Sequence, residues 1–266
     1  MERMRTVAMR TYPWAAPVLI GTAFAGVSLV AGLAPVAAHL AVPALIAFAS
    51  LVAAFATYGL ARIGHARRIA ALTAATPAAL VMGAFGCFLI VDTRVARIAL
   101  AASAVILTAV YLAYVRGMVK RDERFRAEDF SHLSFAVHVT SVFFMLAFVF
   151  GAPGYLQVPM PAAAFVVALG ILVATAESTR RAGLNGRDSA AITAAFAALG
   201  VQLYLALSFL PTTNLVNAAV GTVLYAAGLH AAVSALAGKV PAPAFRRQFA
   251  LSFALVAIVF ATARWA

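Results

Sequence analysis

The chain has 266 residues, of which 65% are hydrophobic and 11% are charged, with a mean hydropathy of +0.99 and a formal net charge of +12. Soluble domains carry roughly a quarter charged residues, so this composition excludes a water-exposed globular surface and predicts a chain embedded in lipid. The one cysteine, Cys87, excludes a disulfide bond within the chain.

Apolar stretches long enough to cross a bilayer recur along the whole chain. A helix needs roughly 20 apolar residues to cross a hydrocarbon core about 30 Å thick. Helices are expected because lipid offers no partner to the backbone amides. We therefore predict an all-α, polytopic transmembrane bundle with nine spans. The predicted spans cover residues 14–33, 40–61, 69–91, 95–115, 133–150, 160–177, 189–210, 214–237 and 249–265.

The basic residues divide the predicted loops into two classes. Of the 20 Lys and Arg residues, all except Arg94, Arg97 and Arg264 lie before the first span or after an even-numbered one. Positive residues stay on the cytoplasmic side of short loops. The pattern predicts a plasma-membrane protein with a cytoplasmic N-terminus and an external C-terminus. The basic surplus also suits anionic lipid headgroups at the cytoplasmic face, and we expect no nucleic-acid partner.

An internal repeat is indicated by two similar stretches, RRIAALTAA at residues 67–75 and RDSAAITAA at residues 187–195. Pro43 recurs as Pro161 at nearly the same offset. Each half holds an even number of spans, so the halves would be parallel. The alternative is that basic helix ends and alanine-rich spans coincide by necessity. The predicted parts are a first four-helix repeat (12–115), a cytoplasmic linker (116–132), a second four-helix repeat (133–240) and a ninth helix (241–266).

The acidic residues offer little catalytic chemistry, because none of the eight falls at the middle depth of a predicted span. A charge at that depth usually marks a proton relay or an ion path. Its absence weighs against a proton-driven transporter with a buried carboxylate and against an enzyme with paired acids. The sequence contains no HExxH motif and no Walker motif. These observations favour a non-enzymatic role.

Two histidines lie at similar predicted depth from the inner face, His138 in span five and His230 in span eight. Equal depth on two helices is the minimum geometry for a haem held by two histidines, or for half of a metal site. The alternative is that each histidine hydrogen-bonds a neighbouring helix.

A further set of polar and aromatic residues lies within the predicted spans. They could line a cavity that opens inward between the two repeats. The alternative is that they form hydrogen bonds between helices or sit as aromatic residues at the lipid interface. The set comprises Tyr111, Glu177, Gln202, Tyr204, Asn217 and Tyr225.

Glycines and one internal proline predict where helices pack or bend. Gly221 and Gly228 in span eight permit close contact between helices. Among the prolines within or near the start of a span, Pro77 of span three is the most internal, and it predicts either a bend or a break of the kind that accompanies substrate sites in transporters.

Three functions follow from these patterns. The first is a non-enzymatic membrane component or subunit, with a protein partner or a second copy of the chain. The second is a transporter or binder of a small neutral or apolar molecule, using a cavity between the repeats. The third is a haem- or metal-binding membrane protein that uses His138 and His230.

Overall fold

The computed structural model describes residues 2–33, 35–64, 67–120, 127–236 and 242–262, and these residues form helices joined by short turns. The bounds of the helices are α1 (Glu2–Leu33), α2 (Pro35–Gly64), α3 (Arg67–Ile90), α4 (Arg94–Lys120), α5 (Ala127–Leu156), α6 (Met160–Arg181), α7 (Gly186–Ser208), α8 (Asn214–Leu236) and α9 (Ala242–Thr262). The predicted all-α class is therefore confirmed for the described residues.

Eight of these helices are long and apolar enough to cross a membrane, and the chain is a multi-pass membrane protein. Their apolar windows agree with the first eight predicted spans to within a few residues. In α9 the apolar stretch is shorter, Ala250–Val259, so a ninth crossing stays a prediction. The exposed faces of the helices carry large apolar side chains, such as Val18, Phe55, Phe165 and Phe253. Such faces are stable in lipid and unfavourable in water.

The turn between α6 and α7 is fixed by local backbone chemistry. Gly183 has a φ of +77°, a left-handed conformation that a residue without Cβ adopts at no steric cost. The Leu184 amide donates to the Thr179 carbonyl at 3.2 Å, which closes the end of α6. Asn185 then caps α7, because its side chain accepts from the Asp188 amide at 2.8 Å. The turn therefore needs only four residues between two spans.

Arg97, in the first turn of α4, is one of the three arginines that the sequence analysis predicted to lie outside. The Nε of Arg97 donates to the Val91 carbonyl oxygen at 2.6 Å, just beyond the end of α3. The guanidinium also lies 5.7 Å from the centre of the Phe88 ring. Cations stabilise the last carbonyls of a helix. This arginine therefore has a structural role at the end of α3.

The chain divides into two compact units, Met1–Ser141 and Val142–Ala266, and the division falls within α5. Of the predicted linker, residues 116–120 continue α4 and residues 127–132 belong to α5. Residues 121–126 lie outside the described residues, as do residues 237–241 and 263–266. Compact units are not the same as repeats, so the four-plus-four arrangement and its boundaries stay predictions.

In the first unit, α2 packs against α1, α3 and α4, and α4 packs against α1 and α3. The core between them is apolar and aromatic. Phe24 of α1 stacks on Phe85 of α3 with ring centroids 3.7 Å apart, and Leu60 and Leu80 are fully buried. Close packing of such side chains holds the helices of this unit together.

In the second unit, α7 packs against α6 and α8, and α9 packs against α8. Small residues bring these helices close together. A Cβ added at Gly221 would lie 3.1 Å from Leu146 Cδ1, and one added at Gly228 would lie 3.4 Å from Phe196 Cε1. Gly221 therefore lies in a tight contact, whereas at Gly228 an added Cβ would make an ordinary van der Waals contact.

Candidate functional site

Pro77 of α3 and Tyr111 of α4 form a matched pair in the first unit. Pro77 has no amide hydrogen, so the carbonyl of Thr73, four residues earlier, loses its usual helical donor. The Tyr111 hydroxyl, from a fully buried side chain, donates to that carbonyl oxygen at 3.2 Å. A donor from a neighbouring helix is one way in which membrane proteins accommodate an internal proline. Tyr111 thus joins α3 to α4.

The N-terminal part of α5 brings further polar groups to the first unit. His138 is 3% exposed, and the Ser141 hydroxyl lies 3.4 Å from the carbonyl oxygen of Thr76 in α3. His230 is exposed on α8 in the second unit. Among the described residues, no three His, Cys, Asp or Glu side chains lie close enough to hold a metal ion. The pairing of His138 with His230 around one ligand stays a prediction.

Hydroxyl pairs connect the helices of the second unit. The hydroxyls of Thr175 in α6 and Tyr225 in α8 are 3.1 Å apart, and the Phe196 ring meets the Tyr225 ring edge-on at 6.0 Å between centroids. Thr179 of α6 and Ser189 of α7 are 2.7 Å apart through their hydroxyl oxygens. All four hydroxyl-bearing residues are buried. Hydrogen bonds between uncharged side chains therefore join α6 to α8 at Thr175 and α6 to α7 at Thr179.

Glu177 lies on α6 between Thr175 and Thr179 and is 3% exposed. It forms an ion pair with Arg181, one turn later, whose side chain is 23% exposed. A buried carboxylate needs a cation or several donors to remain charged. The Arg181 side chain is partly exposed, whereas that of Glu177 lies inside the unit. The pair is thus buried on one side and accessible on the other.

The remaining residues of the predicted cavity have different surroundings. Tyr204 is buried, with its ring centroid 5.0 Å from that of Phe150. The cavity beside it has a volume of about 10 Å³ and an apolar lining that includes Leu146 and Leu203, which leaves space for about one water molecule. Asn217 is buried and accepts a hydrogen bond from the Thr212 hydroxyl, whereas Gln202 is exposed.

A larger opening lies in the first unit, lined by residues that the sequence analysis did not assign to a site. It is a groove of about 410 Å³ between α1 and α4. Two cations lie at its end toward the C-terminus of α4, and an exposed tryptophan borders it. The feature of the sequence that could have indicated the groove is a pair of basic residues, four apart, at the end of an apolar span. The lining residues are Pro13, Trp14, Ala109, Val110, Ala113, Arg116, Gly117 and Lys120.

The polar side chains within each unit and the groove between α1 and α4 are interpreted from their chemistry, because comparison with known proteins gives no guide to them. No family model, curated protein or solved structure matches the chain.

The two features are suited to different tasks. The hydroxyl pairs and the Tyr111 hydrogen bond each connect two helices of one unit, whereas the ion pair connects two residues of α6. The groove is open, apolar along most of its length and cationic at one end. The polar side chains within each unit are suited to holding that unit together. The groove is suited to binding an amphipathic, negatively charged molecule.

Proposed function

We propose that the chain is a non-enzymatic membrane component, a helical subunit whose polar side chains fasten its own helices together. The observation that carries this proposal is the donation from the Tyr111 hydroxyl to the Thr73 carbonyl, which Pro77 deprives of its usual donor. A tyrosine that bound a transported molecule through its hydroxyl would not require a proline on the neighbouring helix. The hydrogen bond between Thr175 and Tyr225 supports the same role in the second unit.

A double-mutant cycle on Pro77 and Tyr111 tests this role. Tyr111→Phe should lower the free energy of unfolding by about 1–3 kcal/mol, because a buried carbonyl loses its donor. In a Pro77→Ala background the same change should cost almost nothing, since the introduced alanine supplies the missing amide. Unfolding by SDS in mixed micelles measures both values. Tyr58→Phe, on the half-buried Tyr58 of α2, is the matched control. Equal costs of Tyr111→Phe in both backgrounds would contradict the proposed role.

The outer surface supports a role within a larger assembly. The α9 helix packs against α8 and exposes Leu251, Phe253, Leu255 and Ile258. Such a face can meet lipid, a protein partner or a second copy of the chain. Purification in mild detergent followed by native mass measurement should give a complex heavier than one chain. A single chain carrying a stoichiometric small molecule would contradict the assembly and favour the next candidate.

A second candidate is a binder or transporter of a small neutral or apolar molecule. It is favoured by the buried hydroxyls of Thr108 and Thr193, which have no hydrogen-bond partner among the described residues. Thr193→Val separates the two functions. A packing role predicts unchanged or higher stability, because an unsatisfied hydroxyl is removed. A binding role predicts loss of the small molecule that copurifies with the parent protein.

The proposed location is the plasma membrane, with the N-terminus in the cytoplasm and, after a ninth crossing by α9, the C-terminus outside. The distribution of the basic residues supports this orientation. In a Cys87→Ala background, Gly186→Cys and Pro211→Cys place single thiols on the exposed turns at the two ends of α7. An impermeant maleimide added to intact cells should label the second variant and spare the first. The reverse labelling would invert the topology.

We also propose the parallel four-plus-four repeat. Thr57 and Thr175 are fully buried on the second helix of the two predicted halves. Tyr111 and Tyr225 are buried on the fourth helix of each half, and both hydroxyls take part in hydrogen bonds to another helix. This correspondence supports duplication of a four-helix unit. An experimental structure in which the two sets of four helices failed to superpose would contradict it.

A further inference from the structure

The groove between α1 and α4 changes in chemical character along its length. Ala109, Val110 and Ala113 give it an apolar wall, and Arg116 and Lys120 follow at the end of α4. Residues spaced three and four apart share one face of a helix, so these five side chains form a continuous stripe. The stripe is about 16 Å long at 1.5 Å per residue, which is comparable to the distance from a phosphate into the acyl region of one leaflet.

The opposite wall of the groove belongs to the N-terminal half of α1. Farther along α1, a Cβ at Gly21 would lie 3.7 Å from Val105 of α4, so the two helices are in ordinary contact there. Toward the end of α4, Pro13 and Trp14 border an open space instead. Trp14 is 73% exposed. Tryptophan is enriched where lipid headgroups meet hydrocarbon, and its place beside the groove supports an interfacial position for the groove.

We propose that this groove binds one anionic phospholipid. Its phosphate lies against Arg116 and Lys120, and an acyl chain follows Ala113 and Val110. Charge complementarity selects this occupant, because two cations line the groove and none of its described lining residues is acidic. The apolar wall selects a lipid over a soluble phosphate, which would leave that wall in contact with water. The inference does not depend on the role of Tyr111 in joining α3 to α4, because Tyr111 is not among the residues that line the groove.

Quenching of Trp14 fluorescence by brominated lipid tests the proposal directly. The chain has two tryptophans, so a Trp265→Phe background isolates the signal of Trp14. The protein is reconstituted in phosphatidylcholine vesicles that contain increasing fractions of brominated phosphatidylglycerol, or of brominated phosphatidylcholine with the same acyl chains. We expect phosphatidylglycerol to bind on the order of tenfold more tightly, because each cation near the surface contributes a few-fold in affinity.

Three variants locate the binding in the groove. Arg116→Gln with Lys120→Gln should abolish the preference for phosphatidylglycerol. Arg180→Gln with Arg187→Gln removes the same charge from exposed positions near the α6–α7 turn and should preserve it. Ala113→Phe keeps every charge, obstructs the apolar wall and should reduce quenching by phosphatidylglycerol.

Each contrary result overturns the proposal. Equal quenching of the parent protein by the two lipids would exclude a selective site, whatever the stability of the variants. A preference that survives the loss of Arg116 and Lys120, or quenching that Ala113→Phe leaves unchanged, would place the lipid elsewhere. Suppression of the preference by an excess of glycerol 3-phosphate would assign the groove to a soluble phosphate compound instead.

Discussion

Replacing Arg181 by alanine is expected to destabilise the second unit more than any other single charge removal at this end of α6. Glu177 is 3% exposed, and the substitution removes the cation with which it forms an ion pair. Removing one member of a buried pair costs about 3–5 kcal/mol, and the partial exposure of Arg181 places the expected loss at about 3 kcal/mol. SDS titration in mixed micelles, followed by circular dichroism, measures this free energy of unfolding.

Two substitutions provide controls for this result. Arg180→Ala removes the same charge from an adjacent, exposed position and should cost less than about 1 kcal/mol. Glu177→Gln removes the buried charge and leaves Arg181 able to reach solvent, so its cost should also be smaller than that of Arg181→Ala. Equal losses for Arg180→Ala and Arg181→Ala would mean that the ion pair does not stabilise the unit.

Replacing Gly200 by leucine is expected to separate α7 from α6. A Cβ at this buried position would lie 2.6 Å from Ile171 Cδ1 and 3.3 Å from Ile171 Cγ1. Ile171 is itself 2% exposed, so it has little space to move. Overpacking a tight interface costs about 1–3 kcal/mol, and a leucine should reach or exceed the upper value. The thermal unfolding midpoint in detergent should fall accordingly.

The fall in the unfolding midpoint should arise from the tight contact at Gly200, and not from the loss of a glycine as such. Gly154→Leu makes the same change at an exposed site of α5 where an added Cβ meets nothing within 4 Å. We expect its unfolding midpoint to remain close to that of the parent protein. A similar fall in both variants would show that the contact between Gly200 and Ile171 does not limit the approach of the two helices.

Hydropathy was sufficient to place the membrane-spanning helices, because lipid imposes a minimum apolar length on every crossing. The apolar windows of the eight helices lie near the predicted spans, and α4 extends to Lys120, beyond the predicted end at residue 115. Basic residues can lie on the last turn of such a helix, since their long side chains reach the interface. Hydropathy alone therefore underestimated the length of α4.

Rotation of the helices about their own axes could not be predicted in the same way. The spans are apolar all round, so periodicity does not distinguish a face toward lipid from a face toward another helix. Gln202 and Tyr204 were predicted at the same depth, yet the first is exposed and the second is buried. The depth of a residue follows from counting along the span, whereas its orientation depends on packing partners.

Only part of each candidate site could be predicted from the sequence. Pro77 predicted a bend, and loss of the Thr73 donor follows from proline chemistry alone. That Tyr111 supplies the replacement depends on the register between α3 and α4, which no local pattern specifies. Arg116 and Lys120 were interpreted as topology signals, and their place in a groove required the position of Trp14 on another helix.

The pairing of Pro77 with Tyr111 has a consequence for biogenesis. If α3 entered the bilayer alone, its Thr73 carbonyl, at the start of the apolar stretch, would lack the hydrogen bond from Tyr111, which would make insertion less favourable. The two helices are joined by only three residues, 91–93. We therefore expect the translocon to release them laterally as a hairpin, so that α3 leaves the insertion machinery only after its successor has been synthesised.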